Sequence, residues 1–306
     1  MKHITAKQAA TNWEISEQLV RRYCKEGRIE NAYQEAGIWY IPENASKPTR
    51  KGKEEAQPPK LLLKLCRQRD SGKYRGLYDY LQINMAYSNN RMASNRLTRQ
   101  QVEVLFKADK IFTVNEAMKV NDIIEARNQF VCIDYVLNEA MRPLTQTFVQ
   151  KLYTMVHGDC CGHRRKALHD DGYRKTEAPP KYGKTTPPKE INKALGDLFR
   201  KYETQKEIGL HEILDLHVRF ERVRPYEDYN GRIGRLLMLK ECLQHGIMPF
   251  VIDDKRRTRY LEGIRKWGED DGIFTEVCLE AQKRFGEQIE LQRLMEKHYR
   301  LRSFKE

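Results

Sequence analysis

The chain has 306 residues, 40% of them hydrophobic, and a formal charge of +13. That length suits one large core and one small one, and no stretch approaches the roughly 18 apolar residues of a membrane span. The opening MKHITAKQAATNWEIS lacks the apolar run of a secretory signal, so the expectation is a folded cytoplasmic protein with no membrane partner. Its basic character favours polyanions, since clustered Lys and Arg gain affinity by releasing counterions condensed on nucleic acid.

In chain order, a first helix is predicted to start after the cap Thr5 and stop near Trp13, and a second to be capped by Ser16 and ended by Gly27. Ala9, Ala10, Ile15, Leu19, Val20 and Tyr23 form the expected shared core. This leaves Glu17, Gln18, Arg21, Arg22 and Lys25 on the outer side of the second helix, residue types that contact grooves and phosphates. The run NAYQEAGIWYIP alternates around a glycine-containing turn and ends at Pro42, as a short β wing does. With its AA, RRYCKEGRI and GIWYIP stretches, the segment from Ile4 to Pro48 resembles the excisionase or MerR-like winged helix-turn-helix family. The resemblance implies that Arg21 and Arg22 lie on the helix entering the major groove, that Gln18 and Lys25 add DNA contacts, and that Trp39 packs the wing on the core. It also makes DNA the expected partner, read as an inverted repeat by a homodimer. The plainer reading is a helical hairpin whose basic face is a solvated surface or part of a protein-binding module.

The stretch SKPTRKGKEEAQPPK, Ser46 to Lys60, is rich in charge and proline and has almost nothing apolar to anchor it. It divides the chain into a small module at 1–48, a linker at 49–60 and a larger domain at 61–306. Beyond it the apolar residues recur at three- and four-residue steps in LTRQQVEVLFKA, EARNQFVCIDYVLNEAM, TQTFVQKLYTMVHG, EINKALGDLFRKYETQ, HEILDLHVRFERV, GRLLMLKECLQHG and FTEVCLEAQKRFGEQIELQRLMEK, so the fold class is mainly α. Seven cysteines, an odd number in a chain read as intracellular, argue against a disulfide framework. The segment HGDCCGHRRKALH gathers the zinc-type ligands His157, Cys160, Cys161, His163 and His169. Its spacing is not that of the common fingers, and two adjacent cysteines cannot easily turn to one ion, so a surface loop is expected. The paired prolines and glycines of GYRKTEAPPKYGKTTPP, residues 172–188, exclude helix and suggest a projecting β-hairpin whose free edge could take an extended protein partner.

The segment LHVRFERVRPYEDYNGRIGRLLMLKECL places one helix before a loop, with His217 on its core side, and a second helix beginning near Asn230. The loop RPYEDYNGRIGR, residues 224–235, resembles the H-P-F-x-D/E-G-N-G-R-x-x-R signature of the Fic family, whose members usually transfer AMP from ATP to a protein hydroxyl. AYSNNRMASN, EARNQF and the expected flap extend the likeness from about Leu61 to about Trp267. The resemblance implies an all-helical domain with a β-hairpin flap. Asn230, Gly231, Arg232 and Arg235 would hold phosphates at a helix N-terminus, and Asp228 would hold Mg²⁺ if nucleotide binds. ATP with Mg²⁺ is thus the implied ligand, and no other cofactor is indicated.

Three departures bear on chemistry. Arg224 stands where the family has the histidine that takes the hydroxyl proton, and a guanidinium stays protonated and cannot serve as a general base. Tyr229 stands where the family has glycine; a Cβ disfavours positive φ and a phenol crowds a phosphate, so a distorted or filled nest is expected. In many Fic proteins a helix carrying S/T-x-x-x-E-G/N inserts an inhibitory glutamate; the matching segment here runs from Asn89 to Ser94, and the glutamate is replaced by Ala93. The leading expectation is a DNA-binding regulator with a catalytically degenerate Fic domain used for dimerisation, partner binding or nucleotide sensing. The alternative is an active adenylyltransferase with an atypical base, for which His217 and His169 are the candidates.

Overall fold

The computed structural model describes residues 3–13, 15–47, 57–72, 76–112, 117–158, 172–179 and 185–303. Contacts divide the chain into two compact units, Met1–Gln57 and Pro58–Glu306.

In the first unit, strand β1 (His3–Thr5) leads into α1 (Ala6–Asn12), a turn, α2 (Glu17–Lys25) and the hairpin β2 (Tyr33–Glu35) and β3 (Ile38–Pro42). The sheet is antiparallel in the order β1-β3-β2, with Thr5 opposite Tyr40 and Gln34 opposite Trp39. Local chemistry sets the ends. Thr5 forms a reciprocal capping box with Gln8, and the Ser16 hydroxyl accepts the Leu19 N–H. Gly27 follows α2 at φ +65°, the left-handed conformation that lets the Arg28 N–H reach back to the Tyr23 carbonyl. Ala9, Ala10, Val20, Tyr23 and Ile41 fill the core, with Ile15, Leu19 and Trp39 packed against its edge.

The second unit is helical. It comprises α3 (Lys60–Asp70), α4 (Leu77–Arg91), α5 (Arg99–Ala108), α6 (Val120–Glu139), α7 (Gln146–His157), α8 (Ile191–Glu203), α9 (Leu210–Val223), α10 (Asn230–Gln244), α11 (Arg257–Lys266) and α12 (Gly272–Ser303). Thr98 and Thr145 cap α5 and α7 through the N–H groups of Gln101 and Phe148. Helix α10 is the hub, touching α3, α4, α6, α7 and α9. Its burial extends to polar residues: Lys240 is fully buried and satisfied by Glu241 Oε1 at 2.8 Å and Gln244 Oε1 at 2.5 Å. Gly263 lets α11 lie close on the start of α12, where an added Cβ would stand 2.7 Å from the Phe274 backbone nitrogen. Among the described residues no helix is long and apolar enough to cross a membrane. The described cysteines, Cys24, Cys66, Cys132, Cys242 and Cys278, form no disulfide with one another.

The β-hairpin expected at 172–188 falls only in part on described residues. The described parts of 172–188 contain no strand. Among the described residues their backbone bonds run to the last turn of α9 and the loop after it: Arg174 N–H donates to the Pro225 carbonyl at 2.8 Å and Thr186 N–H to the Arg222 carbonyl at 3.2 Å. Arg174 also ties the two arms together, donating to the carbonyls of Thr176 and Thr186. The tip, residues 180–184, lies outside the described residues. So do linker residues 49–56 and Cys160, Cys161, His163 and His169.

Candidate functional site

The site begins where α9 stops. Arg224 caps α9 in the left-handed region at φ +47°, and Asn230 closes the loop that follows. The Asn230 side chain accepts from the Tyr226 N–H at 2.9 Å and donates to the Tyr226 carbonyl at 2.8 Å. With its amide so engaged, Asn230 offers a ligand its backbone. Arg174 Nε donates to the Arg224 carbonyl at 2.8 Å, fixing the loop from outside.

Tyr229 adopts φ +66° despite its Cβ, at a cost of order 1–3 kcal/mol by the usual penalty for such a residue. The loop therefore keeps the turn a glycine would make, and the expected distortion of the nest is not seen in the backbone. Compensation comes from the ring, which lies 3.7 Å from the Arg232 guanidinium carbon and meets His157 and Tyr153 edge-on. No side chain caps α10; its first intrahelical bond from the loop runs from the Ile233 N–H to the Tyr229 carbonyl, so the N-terminal amides of the helix face the loop.

The two motif arginines differ in what holds them. Arg232, 3% exposed, pairs with Glu125 at 3.0 Å and more loosely with Asp228 at 3.4 Å. Arg235 donates through Nε to Asn89 Oδ1 at 2.6 Å and through Nη1 to the Tyr260 hydroxyl at 3.3 Å. That hydroxyl in turn meets His217 Nε2 at 2.7 Å. Gly231 and Gly234 permit this packing: an added Cβ at Gly234 would stand 2.7 Å from His217 Nδ1, and one at Gly231 would stand 3.2 Å from Glu221 Oε1. Burial and the nearby Arg235 push the His217 pKa down to about 3, so its imidazole is neutral and serves to hold Tyr260. Burial pushes the Glu221 carboxyl up, against the pull of Arg235 and Arg224.

These residues border a cavity of about 860 Å³. Its walls are the end of α4 (Met92 and Ala93), the end of α9 (Glu221, Arg222 and Arg224), Asp228 to Arg232 with Arg235, and one face of α11 from Arg257 to Arg265. Six arginines and three carboxylates (Glu221, Asp228 and Glu262) line it, so it carries positive charge. Ala93 thus faces the same space as Arg224 and Arg235, and Ser94 follows at φ +71°. His217 does not line the cavity, and no histidine does among the described residues.

The donor set suits anions better than a metal. Asp228, 72% exposed, accepts the Tyr229 N–H on Oδ1 at 2.7 Å and faces Arg232 with Oδ2. Among the described residues no three His, Cys, Asp or Glu side chains gather to hold an ion. Asp228 keeps acceptor capacity on both oxygens and stands in solvent, so it could hold Mg²⁺ whose remaining ligands came from a bound phosphate and water. Phosphates fit, given the α10 N-terminus and the surrounding guanidinium groups.

Sequence reasoning passes over Arg174, Glu221, Tyr260 and the α11 arginines. Glu125 is named only as part of EARNQF. Nothing in spacing marks Arg257 or Arg265, which reach the site through the packing of α11.

In the first unit, Gln18, Arg21, Arg22 and Lys25 are exposed on α2. Arg21 is held by Glu17 through Nε at 2.9 Å and Nη2 at 2.6 Å, and Arg22 lies 3.8 Å from Glu26. Exposed pairs of this kind contribute about 0.5 kcal/mol or less, so a phosphate can displace the carboxylate.

Residues 143–242 match the model of the Fic/DOC family. Solved structures share the fold at low identity. A Fic domain-containing signalling protein from Bacteroides thetaiotaomicron is 18% identical with a TM-score of 0.58, over 75% of this chain and 94% of that one. A Fic family protein from Desulfovibrio desulfuricans is 20% identical with a TM-score of 0.52, over 77% of each chain. Fic-1 from C. elegans is 14% identical with a TM-score of 0.56, over 77% of this chain and 73% of that one. The search of curated proteins finds no match.

Proposed function

We propose that this chain is a cytoplasmic DNA-binding transcriptional regulator whose Fic-type cavity holds a ligand without transferring any part of it. The observation that carries the reading is Arg224, seated at the end of α9 on the cavity wall where the family's proton acceptor belongs. Adenylyl transfer to a hydroxyl needs a group that accepts the hydroxyl proton as the oxygen attacks phosphorus, and a guanidinium cannot. Loss of such a base costs on the order of 10² to 10⁴ in rate.

The regulatory half of the reading draws on the N-terminal unit. A capped two-helix motif followed by a hairpin presents Gln18, Arg21, Arg22 and Lys25 outward, the arrangement a recognition helix needs, and we take the functional form to be a two-fold dimer on an inverted repeat.

A gel-shift titration on DNA upstream of the protein's own coding sequence tests this. The wild type should bind, and Arg21→Ala combined with Arg22→Ala should weaken binding by about 10- to 100-fold and lower the salt slope by about two. Normal binding by the double variant would sink the regulator. Independently, labelled ATP incubated with lysate should leave no adduct on protein; an adduct that vanishes with Asp228→Ala would restore the enzyme.

A further inference from the structure

Helix α12 changes face along its length. Phe274, Val277, Cys278, Ala281 and Phe285 recur at three- and four-residue steps and are each 2% exposed or less, and Ile289 packs with Phe285 on the helical core. The position that continues this line is the polar Gln292. The apolar residues move instead to Leu291, Leu294 and Met295, about a third of a turn round the helix. Those three are 51%, 65% and 42% exposed, and none belongs to a hydrophobic cluster among the described residues. Single exposed leucines are common. Here the sequence extends the stripe through His298 and Leu301, so that 291, 294, 298 and 301 follow the alternating three- and four-residue steps of a seam between paired helices. The helix runs on to Ser303.

Charge along these turns selects the occupant. Residues 286–296 carry Glu287, Glu290 and Glu296 against Arg293 alone, whereas 297–303 carry Lys297, Arg300 and Arg302 with no acid. With the seam at 291, 294, 298 and 301, two parallel copies would set Lys297 of each beside Arg302 of the other, a repulsive pairing. Reversing one copy about Glu296 sets Glu290 of each beside Arg302 of the other and lays the acidic turns on the basic ones. Glu290 meets Arg293 of its own helix at 3.1 Å, an exposed pair that is easily exchanged. From this placement we infer that a second copy of this chain covers the stripe, its α12 antiparallel to the first and crossing near Glu296. The inference rests on the two-fold dimer of the regulator reading and deepens it. Such a contact is self-complementary and closes at two copies. It is short, so alone it belongs with weak, transient interfaces; joint binding of two copies to neighbouring half-sites would raise their effective concentration and hold it closed.

Sedimentation equilibrium of the full chain without DNA, from micromolar to submillimolar concentration, tests this. A monomer–dimer equilibrium is expected, and Leu294→Glu, a change at a solvent-facing position of the single chain, should weaken it about tenfold or more by placing two carboxylates in the seam. Arg302→Glu should weaken it a few-fold at low salt. Adding Glu290→Lys to that variant should restore it, because the exchanged charges face each other again in the antiparallel arrangement. The charge variants keep the test open should Leu294→Glu fail to fold. A chain that stays monomeric throughout, a dimer indifferent to Leu294→Glu and Arg302→Glu, or a dimer that Arg302→Glu strengthens, as it would a parallel pair, overturns the inference. A stripe covered by a different protein or by another segment of the same chain gives the first of these results. The gel shift separates this contact from its parent reading. A monomer whose DNA shift still depends on Arg21 and Arg22 leaves the regulator standing without this contact, whereas a dimer with the expected sensitivities and no DNA shift keeps the contact and removes the regulator.

Discussion

The two units place their functional charges in opposite ways. On α2 the charged side chains stand in solvent on a regular helix, and Arg21 and Arg22 each lie beside one exposed carboxylate that a ligand can displace. Around α10 the arginines are buried, and each is held by groups from distant segments: Glu125 of α6, Asn89 of α4 and Tyr260 of α11. A surface site can change residue by residue with little effect on folding. A buried one is part of the core, and altering it disturbs stability as well as binding.

The largest test of that contrast is Arg232→Ala. Removing it takes from Glu125 its only cationic partner among the described residues, leaving the Asn95 amide alone to satisfy that carboxylate, and the helical unit should lose about 3–5 kcal/mol in denaturant unfolding. A loss under 1 kcal/mol would mean that the charge is solvated and the contrast is wrong. Next, Gly234→Ala pushes a methyl against the His217 ring, which is held in place by Tyr260, and should cost about 1–3 kcal/mol by overpacking. The N-terminal unit should be untouched.

Acid sharpens the comparison further. In the unfolded chain His217 takes up a proton below the ordinary imidazole value of about 6.5, while in the folded chain it stays neutral to about pH 3. Its contribution is therefore complete above about pH 6.5 and is lost as pH falls toward 3, at up to about 1.4 kcal/mol per pH unit. Glu221, whose carboxyl is raised by burial, acts in the opposite sense: its contribution is present at low pH and declines as pH rises through its folded value. Comparing the wild type with His217→Gln isolates the histidine. Between pH 7 and pH 5 the wild type should lose about 2 kcal/mol more than the variant; equal losses would place a proton on His217 in the folded state. The smallest expected effect is in the first unit: Ser16→Ala removes one cap and should lower that unit's stability by about 1 kcal/mol while the helical unit melts as before.

Much of the helical order is readable without coordinates. Segments with one buried stripe and a capping side chain, such as α5 behind Thr98 and α7 behind Thr145, announce both their period and their start. Helix α4 does not, because it is buried on several sides with polar residues among the buried positions, including Gln82, Ser88, Asn89 and Asn90, and a helix covered all round shows no stripe. The described arms of the segment expected as a β-hairpin, 172–179 and 185–188, carry no strand for a related reason. Prolines and glycines exclude helix, but pairing depends on what lies alongside, and here the end of α9 and the loop after it take the Arg174 and Thr186 N–H groups.

By itself the sequence determined which groups are present: a guanidinium in place of an imidazole at 224, a phenol at 229, a methyl at 93 and a basic outer face on α2. These are matters of chemistry and periodicity, local to a few residues. Only the tertiary structure decided what those groups meet. The left-handed turn at Tyr229 holds because Arg232, His157 and Tyr153 receive its ring, Asp228 faces Arg232 one helical turn on, and Arg257 and Arg265 reach the cavity because Gly263 lets α11 settle on α12. Each of these contacts joins residues brought together by packing, whose energy depends on distances that no short window of sequence contains.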